Sequence, residues 1–168
     1  MAMSNGKVVN FFTGSLVIDG QNQPSQSLTL KRGVARFDLN VDVAGSAAIE
    51  SLTLRNVAQS GYLFAQGEVA ASPADVERND VTAHFDTALS ASTPGVLYVY
   101  EQENAGIEVS IEAVIDGQHK VLTKTLEGNL KRNTIYTVTV RKNDIDIVVK
   151  VGIDDWEPGE DTEIIPQL

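Results

Sequence analysis

No cysteine occurs among the 168 residues, and that one absence removes disulfides, thiolate nucleophiles and zinc–thiolate sites together. Histidine is nearly as scarce: His84 and His119 are the two present, too few for most triads or metal clusters. Basic residues are outnumbered, 13 Lys and Arg against 23 Asp and Glu, for a formal net charge of −10 and a pI of about 4.5. Binding to a phosphate backbone needs clustered Lys and Arg to displace counterions, so nucleic acid is not an expected partner. No stretch approaches the roughly 18 consecutive apolar residues of a membrane span. Neither a G-x-G-x-x-G nor a G-x-x-x-x-G-K-[ST] phosphate loop occurs, and no serine stands in a G-x-S-x-G elbow. Residues 1–6 lack the charged and apolar regions of a signal peptide.

What is present is a core-forming composition, 42% hydrophobic with a mean hydropathy of −0.08, organised with period two. Phe37, Leu39, Val41 and Val43 alternate with Asp38, Asn40 and Asp42. Ile107, Val109, Ile111, Ala113 and Ile115 alternate with Glu108, Ser110 and Glu112, and Ile145, Ile147, Val149, Val151 and Ile153 share one parity. Successive side chains of a strand point to opposite faces, so each segment is a strand with one wet face. Val96-Leu97-Tyr98-Val99-Tyr100 is apolar at both parities, the pattern of a strand covered on both sides, and is placed centrally.

Asp116-Gly117 supplies the positive φ angles of a type I′ hairpin turn; Glu127-Gly128-Asn129 and Asn143-Asp144 mark further reversals. Residues 107–153 thus read as a four-stranded antiparallel meander of strands 107–115, 119–126, 133–141 and 144–153. Earlier strands are expected at 7–12, 16–18, 27–43 with a bend at Gly33, 49–57 and 81–85. Ser72-Pro73-Ala74-Asp75 offers an N-cap, a first-turn proline and a first-turn acid, which predicts one short helix at 72–79. A shift to Ala, Ser, Thr and Pro at 89–95 separates two small sandwich lobes, 1–91 and 92–168; one continuous sandwich with a surface crossing there is the alternative.

The chemistry-bearing residues each have a plain structural reading. His119 beside its turn reads as a solvated strand end, and His84, with Asp86 nearby, as a strand histidine. Asp154, Asp155, Glu157, Glu160, Asp161 and Glu163 carry oxygen ligands suited to calcium, but their spacing fits no EF-hand loop, and a solvated turn around Pro158-Gly159 accounts for them. Tyr62, Phe64, Tyr98, Tyr100 and Trp156 form either a glycan platform or core; in strands such residues more often fill the core. No constellation reads as catalytic, and no cofactor or metal is implied.

Several segments taken in order carry a family likeness: Leu30-Lys31-Arg32-Gly33-Val34-Ala35-Arg36-Phe37-Asp38-Leu39, then Leu52-Thr53-Leu54-Arg55-Asn56-Val57, then Tyr98-Val99-Tyr100-Glu101 with Asn104. They are followed by Leu130-Lys131-Arg132-Asn133-Thr134-Ile135-Tyr136-Thr137-Val138-Thr139-Val140, by Val149-Lys150-Val151 and by Asp155-Trp156-Glu157-Pro158-Gly159. This ordered set resembles the fimbrillin-like family, the shaft, anchor and tip subunits of surface pili in Bacteroidetes. The resemblance implies an all-β, antiparallel, transthyretin-like sandwich in two lobes. It also implies export as an outer-membrane lipoprotein precursor and a non-enzymatic structural role in a fimbrium, with other fimbrial subunits as partners. Association would be by strand donation, in which an incoming strand pairs with unsatisfied backbone groups at a sheet edge. Arg132 and Asn133 read as an exposed residue at the start of a strand and the close of a turn. Typical members are longer, and the lipobox cysteine of such precursors is not among these residues. Thr162, Ile164, Ile165 and Leu168, beyond the Pro158-Gly159 turn, form the candidate strand-exchange segment, long enough for one strand. The alternative from another class is a surface carbohydrate-binding or adhesion module using exposed aromatics, with surface glycans or proteins as partners.

Overall fold

Period-two patterning requires two apolar faces to be buried against each other, and the chain meets that requirement with two stacked antiparallel-rich sheets. The structure, a computed structural model, describes residues 8–16, 20 and 28–151. The strands are β1 Phe12–Thr13, β2 Lys31–Arg32, β3 Val34–Val41, β4 Ala47–Ala58, β5 Arg78–Leu89, β6 Thr93–Tyr100, β7 Glu108–Ile115, β8 Gln118–Thr125, β9 Thr134–Val140 and β10 Ile145–Val151. One sheet has the order β10-β9-β3-β6, the other β5-β4-β7-β8, and β1-β2 is a separate two-stranded ribbon. All pairings are antiparallel except β3 with β9, which is parallel and in register from Ala35↔Thr134 to Val41↔Val140.

The alternating residues meet between the sheets. Phe37 and Leu39 of β3, Leu52 and Leu54 of β4, Ile111 and Ile115 of β7, and Tyr136 and Val138 of β9 all lie in one buried cluster. Burying each such side chain is worth about 1.5–3 kcal/mol, so this layer supplies most of the driving force. Phe37 stacks on Tyr136 with ring centroids 5.2 Å apart and an interplanar angle of 18°. A second cluster forms on the outer face of the first sheet, where Val34, Tyr100 and Ile135 are covered by Val8, Phe11 and Tyr98.

The all-β sandwich and the local turns agree with the sequence. Asp116 and Gly117 have φ of 49° and 76°, as a type I′ turn needs. The 27–43 stretch breaks at Gly33, whose amide donates to the Phe11 carbonyl at 2.8 Å and where a Cβ would overlap the Phe11 ring. The Asn143-Asp144 reversal closes the β9–β10 hairpin, with Arg141 N donating to Asp144 O at 2.9 Å.

Three expectations are corrected, and strands also pair across the boundary drawn at residue 91. The meander is two hairpins in different sheets: β7–β8 belongs to one and β9–β10 to the other. β9 is buried on both faces, with Tyr136, Val138 and Val140 on one and Ile135 and Thr139 on the other, and only beside β3 do its two backbone edges both find partners. The division into lobes 1–91 and 92–168 does not appear in the strand pairing, because β3 pairs with β6 and β9, and β4 with β7, around a shared core. The central place given to 96–100 falls to β9 and β3, since β6 is an edge strand. Its second apolar face is covered by Phe11 and Val8, not by another layer of sheet.

The helix at 72–79 is absent. Asp75 takes a left-handed φ of 54°, and the Ser72 hydroxyl accepts from Glu103 N at 3.0 Å and Arg78 Nη2 at 3.3 Å instead of capping a helix. No helix among the described residues is long and apolar enough to cross a membrane.

Candidate functional site

The two histidines lie on different strands and in different surroundings. His119 Nε2 lies 3.2 Å from Glu50 Oε2 in an exposed pair. His84, on β5, stands in register with Ser51 of β4, which faces Glu112 of β7 on its other side. Ser51 Oγ donates to Glu112 Oε2 at 3.4 Å, so the acid holds the hydroxyl directly and the acid-to-His-to-Ser order of a triad is not formed. Among the described residues no three His, Asp or Glu side chains gather as metal ligands.

Of the candidate platform aromatics, Tyr100 is buried, its hydroxyl accepting from Val9 N at 3.0 Å; Tyr98 packs beside it, Tyr62 is half-buried and Phe64 is exposed, as is Phe12 outside the set. Trp156, the acidic residues from Asp154 to Glu163, and the segment Thr162, Ile164, Ile165 and Leu168 lie outside the described residues.

One end of the sandwich is built from polar side chains, among them Glu101, Asn104 and Arg132 of the family-likeness segments, for which the sequence suggested no joint role. The Arg132 guanidinium donates from Nε to Glu101 Oε1 at 3.1 Å, from Nη1 to Leu63 O at 3.0 Å and from Nη2 to Tyr62 O at 3.0 Å. Its side chain and that of Glu101 are only 10% and 11% exposed, which corrects its reading as an exposed residue. Gln102 is fully buried, its Oε1 accepting from Ala58 N at 2.8 Å and from Arg78 Nη1 at 3.2 Å. Asn104 Oδ1 accepts from Gly106 N and Ile107 N, while its amide nitrogen donates to Leu126 O at 2.6 Å. These groups satisfy loop backbone that would otherwise be buried unpaired; they are scaffold. Asn133 closes its turn as expected, with φ of 52° and its amide donating to Val34 O at 3.0 Å.

Among the described residues, β8 and β10 are edge strands of the two sheets and face each other along one side of the sandwich. A groove of about 270 Å³ lies there, lined by Lys124, Thr125, Leu126, Glu127, Asp146, Ile147 and Val149. On β8 the alternation Lys120, Leu122, Lys124 directs two lysines to the core-facing side. At the edge their ammonium groups reach across to the other sheet. Lys124 Nζ donates to Asp146 Oδ1 at 2.7 Å, and Lys120 Nζ to Lys142 O at 2.8 Å and Asn143 Oδ1 at 2.9 Å. Lys142 Nζ in turn lies 3.1 Å from Asp116 Oδ2 in the β7–β8 turn.

The lysines hold both carboxyls below the usual aspartate range. Asp116 is lowered first by the hydrogen bond to Lys142 and then by Ser46 N; Asp146 is lowered first by Lys124 and then by Ile147 N. Lys124 is raised, chiefly by its bond to Asp146. The carboxylates therefore stabilise the seam above the unfolded value of about 3.8 and lose that contribution as pH falls through their depressed folded values. Lys124 contributes fully below about 10.5 and loses its contribution as pH rises past its elevated folded value. Amide protection factors, corrected for the intrinsic rate, are expected to fall in β8 and β10 as pH drops below the ordinary aspartate value of about 3.8, while β4 and β7 keep theirs. A uniform fall across both sheets would contradict a local seam.

The same sandwich is found in solved structures. That of a candidate cell adhesion protein from Parabacteroides distasonis is similar at 17% identity with a TM-score of 0.53, over 73% of this chain and 52% of that one. One from Bacteroides uniformis is similar at 14% identity and a TM-score of 0.52, over 92% of this chain and 68% of that one. The matched part thus spans about half the length of the first and two thirds of the second. At these identities the likeness is one of fold, and it agrees with the fold that the fimbrillin-like resemblance implies. Comparison with curated proteins gives no match. Residues 66–150, from the loop before β5 to the end of β10, match the bacterial Ig-like domain profile, and the chain belongs to the bacterial Ig-like domain family.

Proposed function

We propose that this chain is a non-enzymatic structural module of a cell-surface adhesive assembly, a fimbrial subunit that joins its neighbours by pairing strands at a sheet edge. The observation that carries the reading is β10. It is an edge strand of sequence Ile-Asp-Ile-Val-Val-Lys-Val whose Val148 and Val149 are 55% and 49% exposed. A long apolar edge is a template for another strand, and folded proteins normally guard it with charge or proline. Charges or proline stand on every edge, Pro94 on β6, Asp80 and Asp86 on β5, Lys120 and Lys124 on β8, and Asp146 and Lys150 on β10, but on β10 they flank an uninterrupted Ile147-Val148-Val149 run.

The fold likeness to candidate adhesion proteins supports a surface role, and the Ser51–Glu112 geometry and scattered histidines give no support to an enzyme. An outer-membrane fimbrium, reached as a lipoprotein precursor, is the matching location. Other fimbrial subunits or further copies of this chain are the matching partners. The glycan-binding reading loses its main support with Tyr100 in the core.

Thr162, Ile164, Ile165 and Leu168 supply the donated strand in this reading. Deleting 164–168 is expected to abolish concentration-dependent multimers of the full chain in sedimentation velocity without shifting its thermal unfolding. Multimers that persist unchanged would remove the donor role of this segment.

A further inference from the structure

We propose that the pocket between the β1–β2 ribbon and the 59–66 loop binds a carboxylate-bearing sugar, a uronic acid, with Lys31 holding the carboxylate and Phe64 stacking on the ring. The pocket has a volume of about 480 Å³, within the range that takes a small organic ligand. None of its lining residues lies on an edge strand of either four-stranded sheet, so its test is independent of strand pairing.

Strand geometry supplies the polar wall. Successive side chains of a strand point to opposite faces, and the ribbon pairs Thr13 with Lys31 and Phe12 with Arg32. Thr13 and Lys31 line the pocket, whereas Arg32 lies over the Phe12 ring, 4.7 Å from its centroid. Ser15 and Thr29 add further hydroxyls. The opposite wall is an aromatic held in place. Phe64 is 56% exposed, yet its loop is tied on both sides: Arg132 donates to Tyr62 O and Leu63 O, and Gln66 Nε2 donates to Phe64 O at 2.9 Å. A pre-positioned ring loses little freedom on meeting a ligand, and its face suits the C–H side of a pyranose.

Charge then selects among sugars. None of the lining residues is acidic, and the second cation, Arg132, is matched by Glu101 at 3.1 Å. Among the described residues Lys31 has no carboxylate partner, so its ammonium is the unmatched charge of the pocket and a ligand carboxylate is the group that matches it. A bare anion would leave Phe64 and most of the volume unused. A sugar acid uses the cation, the hydroxyls and the ring together.

The test titrates the full chain with the disaccharide of glucuronate and N-acetylglucosamine, and with its neutral methyl ester, while backbone amide shifts are followed. Saturable shifts are expected at 13–15, 29–31 and 63–65, with the acid preferred over the ester about fivefold, the upper factor for an exposed ion pair. Lys31→Gln is expected to erase that preference and Lys31→Arg to keep it. Phe64→Ala is expected to weaken acid and ester alike, about three- to tenfold, and to leave the preference standing. Both side chains are exposed, so none of these variants should move the thermal unfolding midpoint. Absence of saturable shifts at these residues with either sugar overturns the site. A preference for the acid that survives Lys31→Gln overturns the role of Lys31 and with it the ligand class. Inorganic phosphate binding as tightly as the sugar acid, and indifferent to Phe64→Ala, would reduce the pocket to an anion site and overturn the sugar.

Discussion

Arg132→Ala is expected to lower the free energy of unfolding by about 3–5 kcal/mol, because it strands a buried carboxylate. Glu101 accepts from Arg132 Nε at 3.1 Å and from Arg132 N at 3.2 Å, and the substitution leaves it the backbone donor alone. The same change frees the carbonyls of Tyr62 and Leu63 and the Thr13 hydroxyl, which the guanidinium meets at 3.4 Å. The 59–66 loop and the β1–β2 ribbon would lose their common anchor. Urea denaturation measures the loss, and hydrogen exchange in 59–66 should accelerate beyond the global change.

The double variant E101Q/R132M separates two causes. Burying an ion pair costs desolvation that the attraction only partly returns, so replacing both partners should recover more than half of the single-variant loss. A single-variant loss below about 1 kcal/mol would mean that Glu101 reaches water and that the pair behaves as a surface bridge.

Period two tells which side chains share a face, and the strands expected at 27–43, 107–115 and 144–153 contain β3 Val34–Val41, β7 Glu108–Ile115 and β10 Ile145–Val151 because each alternates polar with apolar positions. It carries no information about which strand lies next to which. The parallel β3–β9 pairing joins residues about a hundred positions apart, and nothing local to either strand announces it. A strand apolar at both parities is ambiguous in the same way: β6 reads as central but is an edge strand whose outer face Phe11 and Val8 cover, whereas β9, with Thr137 and Thr139 on one parity, is central. The Ser72–Asp75 capping signal was real as chemistry, but Arg78 and Glu103, the latter 31 positions away, claimed the hydroxyl.

The polar end was illegible for a related reason. Arg132 and Glu101 are ordinary charges in sequence, and only the fold brings them together with the carbonyls that complete the guanidinium's bonds. The seam was half legible. The Lys-x-Leu-x-Lys alternation of β8 marks an amphipathic strand, but that its lysines reach the opposite sheet depends on β8 and β10 both being edges.

Phe37→Ala is the substitution that tests whether residues before and after 91 fold as one unit. Phe37 is fully buried in β3 and stacks on Tyr136, which is 1% exposed in β9. Truncation removes that stacking and leaves a cavity between two strands in register, for an expected loss of about 3–5 kcal/mol. Tyr136 is itself held, its hydroxyl accepting from Lys131 N at 2.9 Å and donating to Asn129 O at 3.1 Å, so it cannot swing in to fill the space. Because β3 lies between β6 and β9, the damage reaches strands from both sides of the 89–95 crossing. Far-ultraviolet circular dichroism and the near-ultraviolet tyrosine signal should therefore shift together in one transition, as a shared core requires. Two transitions, with only the earlier one displaced, would instead describe two lobes folding separately, each closing a core of its own.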